Sequence, residues 1–251
     1  MRNKKVEGLI LKEVPYQKEN MKLFSVFTRE LGKVLISAQS SRKLQNSKRI
    51  LSPLNLCEFE LYTSSAGYFK VKNAVLKASF YPLERKSAEK QLQSIQDISQ
   101  VAEIIEKTIE EGEPNLSLYS LVVKSAMIIH HTANQLILEA FKVKLLGLSG
   151  TLPNLKHCFE CREKRNDDKN WITQDSLHMY CTHCLPKDSM QYASVTLDTL
   201  KLLHFIATAE FEEIAKISTS AKNIEELKQL NSLLLTQLTT RDLKSEKTLL
   251  N

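Results

Sequence analysis

The sequence predicts an α+β fold in which a small barrel of short strands precedes an all-α domain carrying an inserted four-cysteine loop. Three observations carry this expectation. The hydrophobic period changes from two to three or four near residue 84, the entire basic excess lies in the first 49 residues, and four of five cysteines form two C-x2-C pairs. With 251 residues and 42% hydrophobic content, the chain suffices for one large domain or two to three small ones. Only 6 Gly and 6 Pro argue against a disordered or loop-rich scaffold.

The strands come first. Residues 6–14 are β-rich and end at Pro15, residues 23–28 alternate around Phe24 and Val26, and Gly32 punctuates a turn before Val34-Leu35-Ile36. Residues 57–61 and 69–76 complete the set, with Gly67 in the turn between them. Cys57 alternates with Phe59 and Leu61 against Glu58 and Glu60, so it reads as a small hydrophobe facing a sheet core. Lys70 and Lys72 alternate with Phe69 and Val71, which assigns both lysines to one outer face. Five short strands in about 80 residues with a basic surface fit an OB-fold, a partly open five-stranded barrel.

Helical periodicity follows. Leu92, Ile95, Ile98, Ala102, Ile105 and Ile109 make an apolar stripe that stops near Gly112. A second run from Leu116 to Leu148 includes Leu118, Leu121, Val122, Ile128, Ile129, Leu136, Ala140 and Val143, and closes at Gly147 and Gly150. Leu200, Leu203, Ile206 and Ile214 predict a third helix, and Leu227, Leu230, Leu234 and Leu238 a fourth. These stripes read as one shared helical core interrupted by the cysteine loop. The implied organisation is a barrel over 1–80, helices over 81–150, a metal-binding insertion over 151–187 and further helices over 188–251.

Cys158-Phe159-Glu160-Cys161 and Cys181-Thr182-His183-Cys184 give the spacing C-x2-C-x19-C-x2-C. Two residues between cysteines let a tight turn aim both sulfurs at one ion, and two such turns complete a tetrahedron, which predicts one structural zinc held by Cys158, Cys161, Cys181 and Cys184. Four thiolates leave no position for water or substrate, so such a site stabilises structure and does not catalyse. His157 and His183 are the alternative ligands. A rubredoxin-type iron site would use similar pairs, whereas thioredoxin-like chemistry lacks its βαβ context. Disulfides would require an oxidising compartment. The start, Met1-Arg2-Asn3-Lys4-Lys5-Val6, leads into no apolar signal region and no stretch approaches a membrane span, so a cytoplasmic location with no membrane partner is expected.

The formal net charge is +6. Residues 1–49 hold 12 Lys+Arg against 4 Asp+Glu, leaving 23 against 25 for the remainder. For a cytosolic protein the obvious polyanion to meet such a surface is nucleic acid, and a solvated basic face without a ligand is the plainer alternative. No enzyme is expected, because the six glycines form neither G-x-x-x-x-G-K-[ST] nor G-x-G-x-x-G, and there is no H-E-x-x-H. Glu110-Glu111, Glu212-Glu213 and Glu225-Glu226 point in different directions on a helix and read as solvated faces, and His130-His131 fail as a metal pair for the same reason.

Several residue blocks resemble one family over essentially the full length. They are Gly8-Leu9-Ile10-Leu11-Lys12-Glu13-Val14; residues 23–34 with Phe27-Thr28 and Gly32-Lys33; Ser40-Ser41-Arg42-Lys43, Ser47-Lys48-Arg49 and Leu51-Ser52-Pro53-Leu54; residues 141–147 with Pro153-Asn154-Leu155 and the first cysteine pair; and Arg241-Asp242-Leu243-Lys244-Ser245. In these the chain is similar to the bacterial recombination mediator RecO. Gln39-Ser40 stands where that family usually has Lys-Gly, and residues 175–180 lack the glycines common before the second pair.

The resemblance implies a DNA repair mediator that binds single- and double-stranded DNA, anneals complementary strands and helps recombinase replace single-strand binding protein. It also implies RecR and the acidic tail of single-strand binding protein as partners, the tail in a groove between helices. On this reading Arg29, Lys33, Arg42, Lys43, Lys48, Arg49, Lys70 and Lys72 form the phosphate-contacting surface, and Tyr68 and Phe69 are either stacking platforms or core. The competing expectation is a zinc-stabilised adaptor that binds only proteins. A zinc-ribbon transcription regulator would need a recognition helix with clustered cations, which no helical segment supplies.

Overall fold

The computed structural model describes residues 3–16, 21–39, 50–63, 69–81, 87–164, 169–173, 178–187 and 192–248. The chain divides into two compact units, Met1–Ala133 and Asn134–Asn251. In the first, β1 (Lys4–Val14), β2 (Met21–Thr28), β3 (Gly32–Gln39), β4 (Asn55–Thr63) and β5 (Phe69–Ser79) close a barrel in the order β1-β2-β3-β5-β4. All neighbours are antiparallel except β3 and β5, which meet in parallel at Ile36–Phe69 and Ser37–Lys70. This is the OB-fold barrel expected from the strand pattern.

Alternation decides what fills it. Val6, Ile10, Phe24, Val26, Val34, Ile36, Phe59 and Leu61 form the core, and Cys57 is fully buried among them as a free thiol. Burial pushes that thiol up to about 12, so it remains neutral and packs as an apolar group. The β2–β3 turn requires Gly32, because its φ of 68° lies in the left-handed region and a Cβ would come within 2.2 Å of the Glu113 carbonyl oxygen. Thr28 Oγ1 closes the turn by donating to the Gly32 carbonyl (2.8 Å) and accepting from the Leu31 N–H (3.0 Å).

Helices α1 (Ala88–Thr108) and α2 (Leu116–Thr132) belong to the same unit. The buried stripe of α1 runs through Ser94, Ile98, Val101, Ala102 and Ile105, at helical spacing. Leu92, counted in the predicted stripe, is instead 57% exposed, because it lies off the line through Ser94 and Ile98. Ser94 holds its buried place by donating to the Lys90 and Ile129 carbonyls. Tyr119 of α2 reaches the barrel, with its hydroxyl 3.0 Å from Glu7 Oε1 and its ring 5.9 Å from that of Phe27. Burial, and then the Glu7 charge, keep its phenol protonated well above the usual tyrosine value.

The second apolar run is two helices rather than one. Ala133 takes a φ of 51°, ending α2, and Asn134 caps α3 (Gln135–Leu148) by accepting from the Leu136 N–H. Helices α1 and α2 fall in the first unit and the later helices in the second.

The second unit contains α3, a small antiparallel sheet of β6 (Asn170–Thr173), β7 (Met179–Cys181) and β8 (Tyr192–Val195) in the order β7-β6-β8, then α4 (Leu197–Thr208), α5 (Phe211–Ile214) and α6 (Ala221–Thr248). The predicted stripe residues Leu200, Leu203, Ile206, Ile214, Leu227, Leu230 and Leu234 are all buried. The sheet escaped the sequence reading because strands of three or four residues are too short to display a period.

One carboxylate ties α4 to α6. Glu226 accepts from the Thr196 N–H (2.9 Å), the Thr196 hydroxyl (2.8 Å) and the Thr199 hydroxyl (2.6 Å) at the start of α4. Burial pushes this carboxyl up, but the Thr199 and Thr196 hydrogen bonds outweigh burial and hold it below the usual glutamate value. A depressed pKa contributes stability above the unfolded value that is lost as pH falls through the folded one. Glu226→Gln is therefore expected to lower stability by about 1–2 kcal/mol at neutral pH and to soften acid unfolding. Urea unfolding at pH 7 and pH 3 checks this, since a deficit that persists undiminished at pH 3 contradicts it.

Candidate metal centre and basic face

The first cysteine pair sits on a tight turn. The Cys158 N–H donates to the Glu163 carbonyl (3.0 Å), and the Arg162 N–H donates back to the Cys158 carbonyl (3.1 Å). Cys181 ends β7, and the Cys184 N–H closes the second turn on the Cys181 carbonyl (3.1 Å). The strand register delivers one turn to the other. The Phe159 N–H donates to the Met179 carbonyl (2.8 Å), and the Cys181 N–H points at Cys158 Sγ (3.4 Å).

All four sulfurs lie within 4.8 Å of one another. A tetrahedron with metal–sulfur bonds of about 2.3 Å has edges of about 3.8 Å, so the cluster fits one tetrahedral ion. Cys158 is buried, Cys161 is exposed, and Cys181 and Cys184 are half-buried. Burial raises the Cys158 thiol, but N–H donation from Cys181, Cys161 and Glu160 outweighs it and brings the group down to about 7. Cys184 is pushed up to about 12, first by its hydrogen bond with Cys181 and then by desolvation. Sulfurs this crowded cannot all ionise unaided, and a bound cation would supply the missing charge. His157 and His183 are not among the four clustered ligands, which are all cysteines.

The barrel cations are placed less uniformly than their spacing suggested. Arg29 is exposed in the β2–β3 turn, and Lys70 is half-buried on β5. Lys72 is exposed but paired with Glu60 (2.9 Å), whose carboxyl is held below its usual value chiefly by that hydrogen bond. Lys33 does not lie on an outer face. It is only 9% exposed, and its ammonium donates to the Glu106 carbonyl at 2.7 Å, because the β3 register turns it beneath α1. Arg42, Lys43, Lys48, Arg49 and Tyr68 lie outside the described residues. Phe69 packs against the barrel core with Lys4 Nζ 5.6 Å from its ring centre, which favours its core role. Lys12, Lys22 and Lys77 each face a carboxylate, from Glu106, Glu13 and Glu58. Period two shows which residues share a strand face, but only the register shows which acid stands opposite.

The sequence reading also passed over Phe159, Arg162 and His178. These residues cluster beside the first cysteine pair and share a cavity with His157. Aromatic and cationic residues interleaved around the C-x2-C turn were the available signal. Among the described residues, no helix is long and apolar enough to cross a membrane.

Comparison with known proteins agrees with this architecture. Residues 1–80 match the family described as Recombination protein O N terminal, and residues 98–247 match Recombination protein O C terminal. The chain is 24% identical over 238 residues to the DNA repair protein RecO of Caldicellulosiruptor saccharolyticus, covering 94% of this chain and 90% of that protein. It is 26% identical over 225 residues to the protein of the same name from Desulforamulus reducens, covering 87% and 83%. With the Bacillus subtilis DNA repair protein RecO it shares 24% identity over 244 residues, covering 97% and 92%. With both halves matched in order around a closed barrel and a four-cysteine cluster, the chain belongs to the recombination protein O family of DNA repair proteins.

Proposed function

We propose that the protein is a recombination mediator without catalytic activity. It binds single- and double-stranded DNA, anneals complementary strands and helps load recombinase where single-strand binding protein covers the DNA. The observation that carries this reading is an OB-fold barrel lying within the basic first third of a chain from a DNA repair family. Lys and Arg neutralise phosphates without reading sequence, and annealing requires two like-charged strands to be neutralised together.

In this reading residues 1–80 meet DNA, 81–150 and 188–251 form the helical domain, and 151–187 are the metal insertion. Arg29, Arg42, Lys43, Lys48, Arg49, Lys70 and Lys72 make the phosphate contacts, while Lys33 supports the fold. Cys158, Cys161, Cys181 and Cys184 hold one structural zinc. RecR and the acidic tail of single-strand binding protein are the protein partners, and the site of action is the cytoplasm at the nucleoid.

Fluorescent oligonucleotides titrated across a salt series test this. Replacing Arg42, Lys43, Lys48 and Arg49 together with Ala is expected to weaken binding and to reduce the slope of log affinity against log salt by up to about 3 for single strands. Lys33→Met is expected to leave the slope unchanged. An unaltered slope in the quadruple variant overturns the assignment.

The pairing of Lys12, Lys22, Lys72 and Lys77 with carboxylates favours a second reading, in which the barrel serves an adaptor for protein partners. That adaptor would bind an acidic peptide but no DNA, even at low salt.

A further inference from the structure

The cysteine loop carries a side-chain arrangement that metal ligation does not require. Arg162, directly after Cys161, has a φ of 62°, in the left-handed region where glycine sits without strain and a side chain costs energy. Its guanidinium lies 5.2 Å from the centre of the Phe159 ring. Phe159 in turn stacks on the His178 imidazole, with centroids 3.5 Å apart and planes 9° from parallel. An imidazole that close occupies one face of the phenyl ring and leaves the guanidinium the other, so the groups form a pile in the order His178, Phe159, Arg162.

The pile is held from below and open above. Backbone hydrogen bonds from Phe159 to Met179 and from Arg162 to Cys158 fix its base, and Tyr180 meets the Phe159 ring edge-on at 6.0 Å. Phe159 nevertheless remains 37% exposed. Beside it lies a cavity of about 310 Å³ lined by Asn154, His157, Phe159, Arg162, His178 and Met179. That volume falls at the small end of the range for small-ligand sites, about 300–1,000 Å³. Among the described residues no carboxylate pairs with the Arg162 guanidinium.

A site with planar walls favours a flat ring, whose π-face can lie against them. We propose that the exposed Arg162 end of the pile, backed by Phe159 and His178, is a stacking site for an unpaired nucleobase, a second single-strand contact in addition to the barrel. Every base offers a π-face, so such a site is indifferent to sequence, and a guanidinium plane extends it. The proposal rests on the DNA-binding reading above but differs from it in physics, because stacking, unlike phosphate contact, adds little to the salt slope.

The test uses the full-length, metal-loaded protein, fluorescent single strands with and without a run of abasic positions, and a blunt duplex. Phe159→Leu keeps an apolar group at the site, and Arg162→Gly removes the guanidinium while relieving the left-handed backbone. Each variant is expected to bind base-bearing single strands at least about fivefold more weakly, to lose the preference over abasic strands, and to keep its duplex affinity and metal content, with the salt slope unchanged in Phe159→Leu. Equal loss on abasic and base-bearing strands, or no loss, overturns the proposal, as does an acidic peptide that competes at the pile independently of bases. A parent protein that binds no DNA would defeat the mediator reading itself. Retained base preference with a flattened salt slope in the Arg42, Lys43, Lys48 and Arg49 variant would separate the two sites.

Discussion

Replacing Cys158 and Cys161 together with Ser is expected to reduce bound zinc from one per chain to almost none and to unfold the segment over 151–187. Two of four sulfurs within 4.8 Å of one another would be lost, and the remaining pair cannot close a tetrahedron. Structural zinc contributes about 10–16 kcal/mol in small zinc-finger peptides, more than a typical domain's net stability of about 5–15 kcal/mol. The loss should therefore reach beyond the loop, since β7 ends on Cys181 and pairs with β6, which also pairs with β8. Metal counting, limited proteolysis and thermal unfolding follow the effect. A chelator should reproduce it in the unaltered protein, and lowering the pH should promote release, because the ligands must be thiolates. A double variant that keeps a full zinc complement refutes the ligand assignment.

Lys142→Met is expected to cost about 3–5 kcal/mol, through a buried ion pair that the sequence did not announce. Glu139 is 1% exposed, and Lys142, at 12%, donates to its Oε1 at 2.8 Å. Asn231, fully buried on α6, donates to the other carboxylate oxygen at 2.8 Å and to the Glu139 carbonyl at 3.1 Å. Removing the ammonium leaves a carboxylate in an apolar interior with one neutral donor, and the cost is that of an uncompensated buried charge. Replacing Glu139 and Lys142 together, with Leu and Met, should recover most of the loss, because packed apolar groups are often no worse than a buried pair. Urea unfolding of the two variants checks both statements. A single variant within about 0.5 kcal/mol of the parent would mean that water reaches the site.

These cases show where sequence reasoning stopped. The C-x2-C pairs were legible because metal geometry constrains spacing along the chain, and the sulfurs do converge. The barrel was legible because a strand buried on one face repeats every two residues, and Cys57, Phe59 and Leu61 all point inward as their alternation requires. The α2–α3 break was not legible, since Ala133 is an ordinary helix former and nothing in its residue type calls for the left-handed conformation it takes. Lys33 likewise looked like any cation in a basic segment until the register carried it beneath α1.

Composition, period and spacing by themselves determined the α+β order, the barrel, the helical stripes and the four clustered cysteines, because each depends on residues near one another in sequence. Only the tertiary structure decided which lysines face carboxylates, where the long apolar run breaks, which polar groups are buried together as in Glu139, Lys142 and Asn231, and how Arg162 lies over Phe159. Those contacts depend on strand register and helix packing, which bring distant residues to within hydrogen-bonding distance and which no local period encodes.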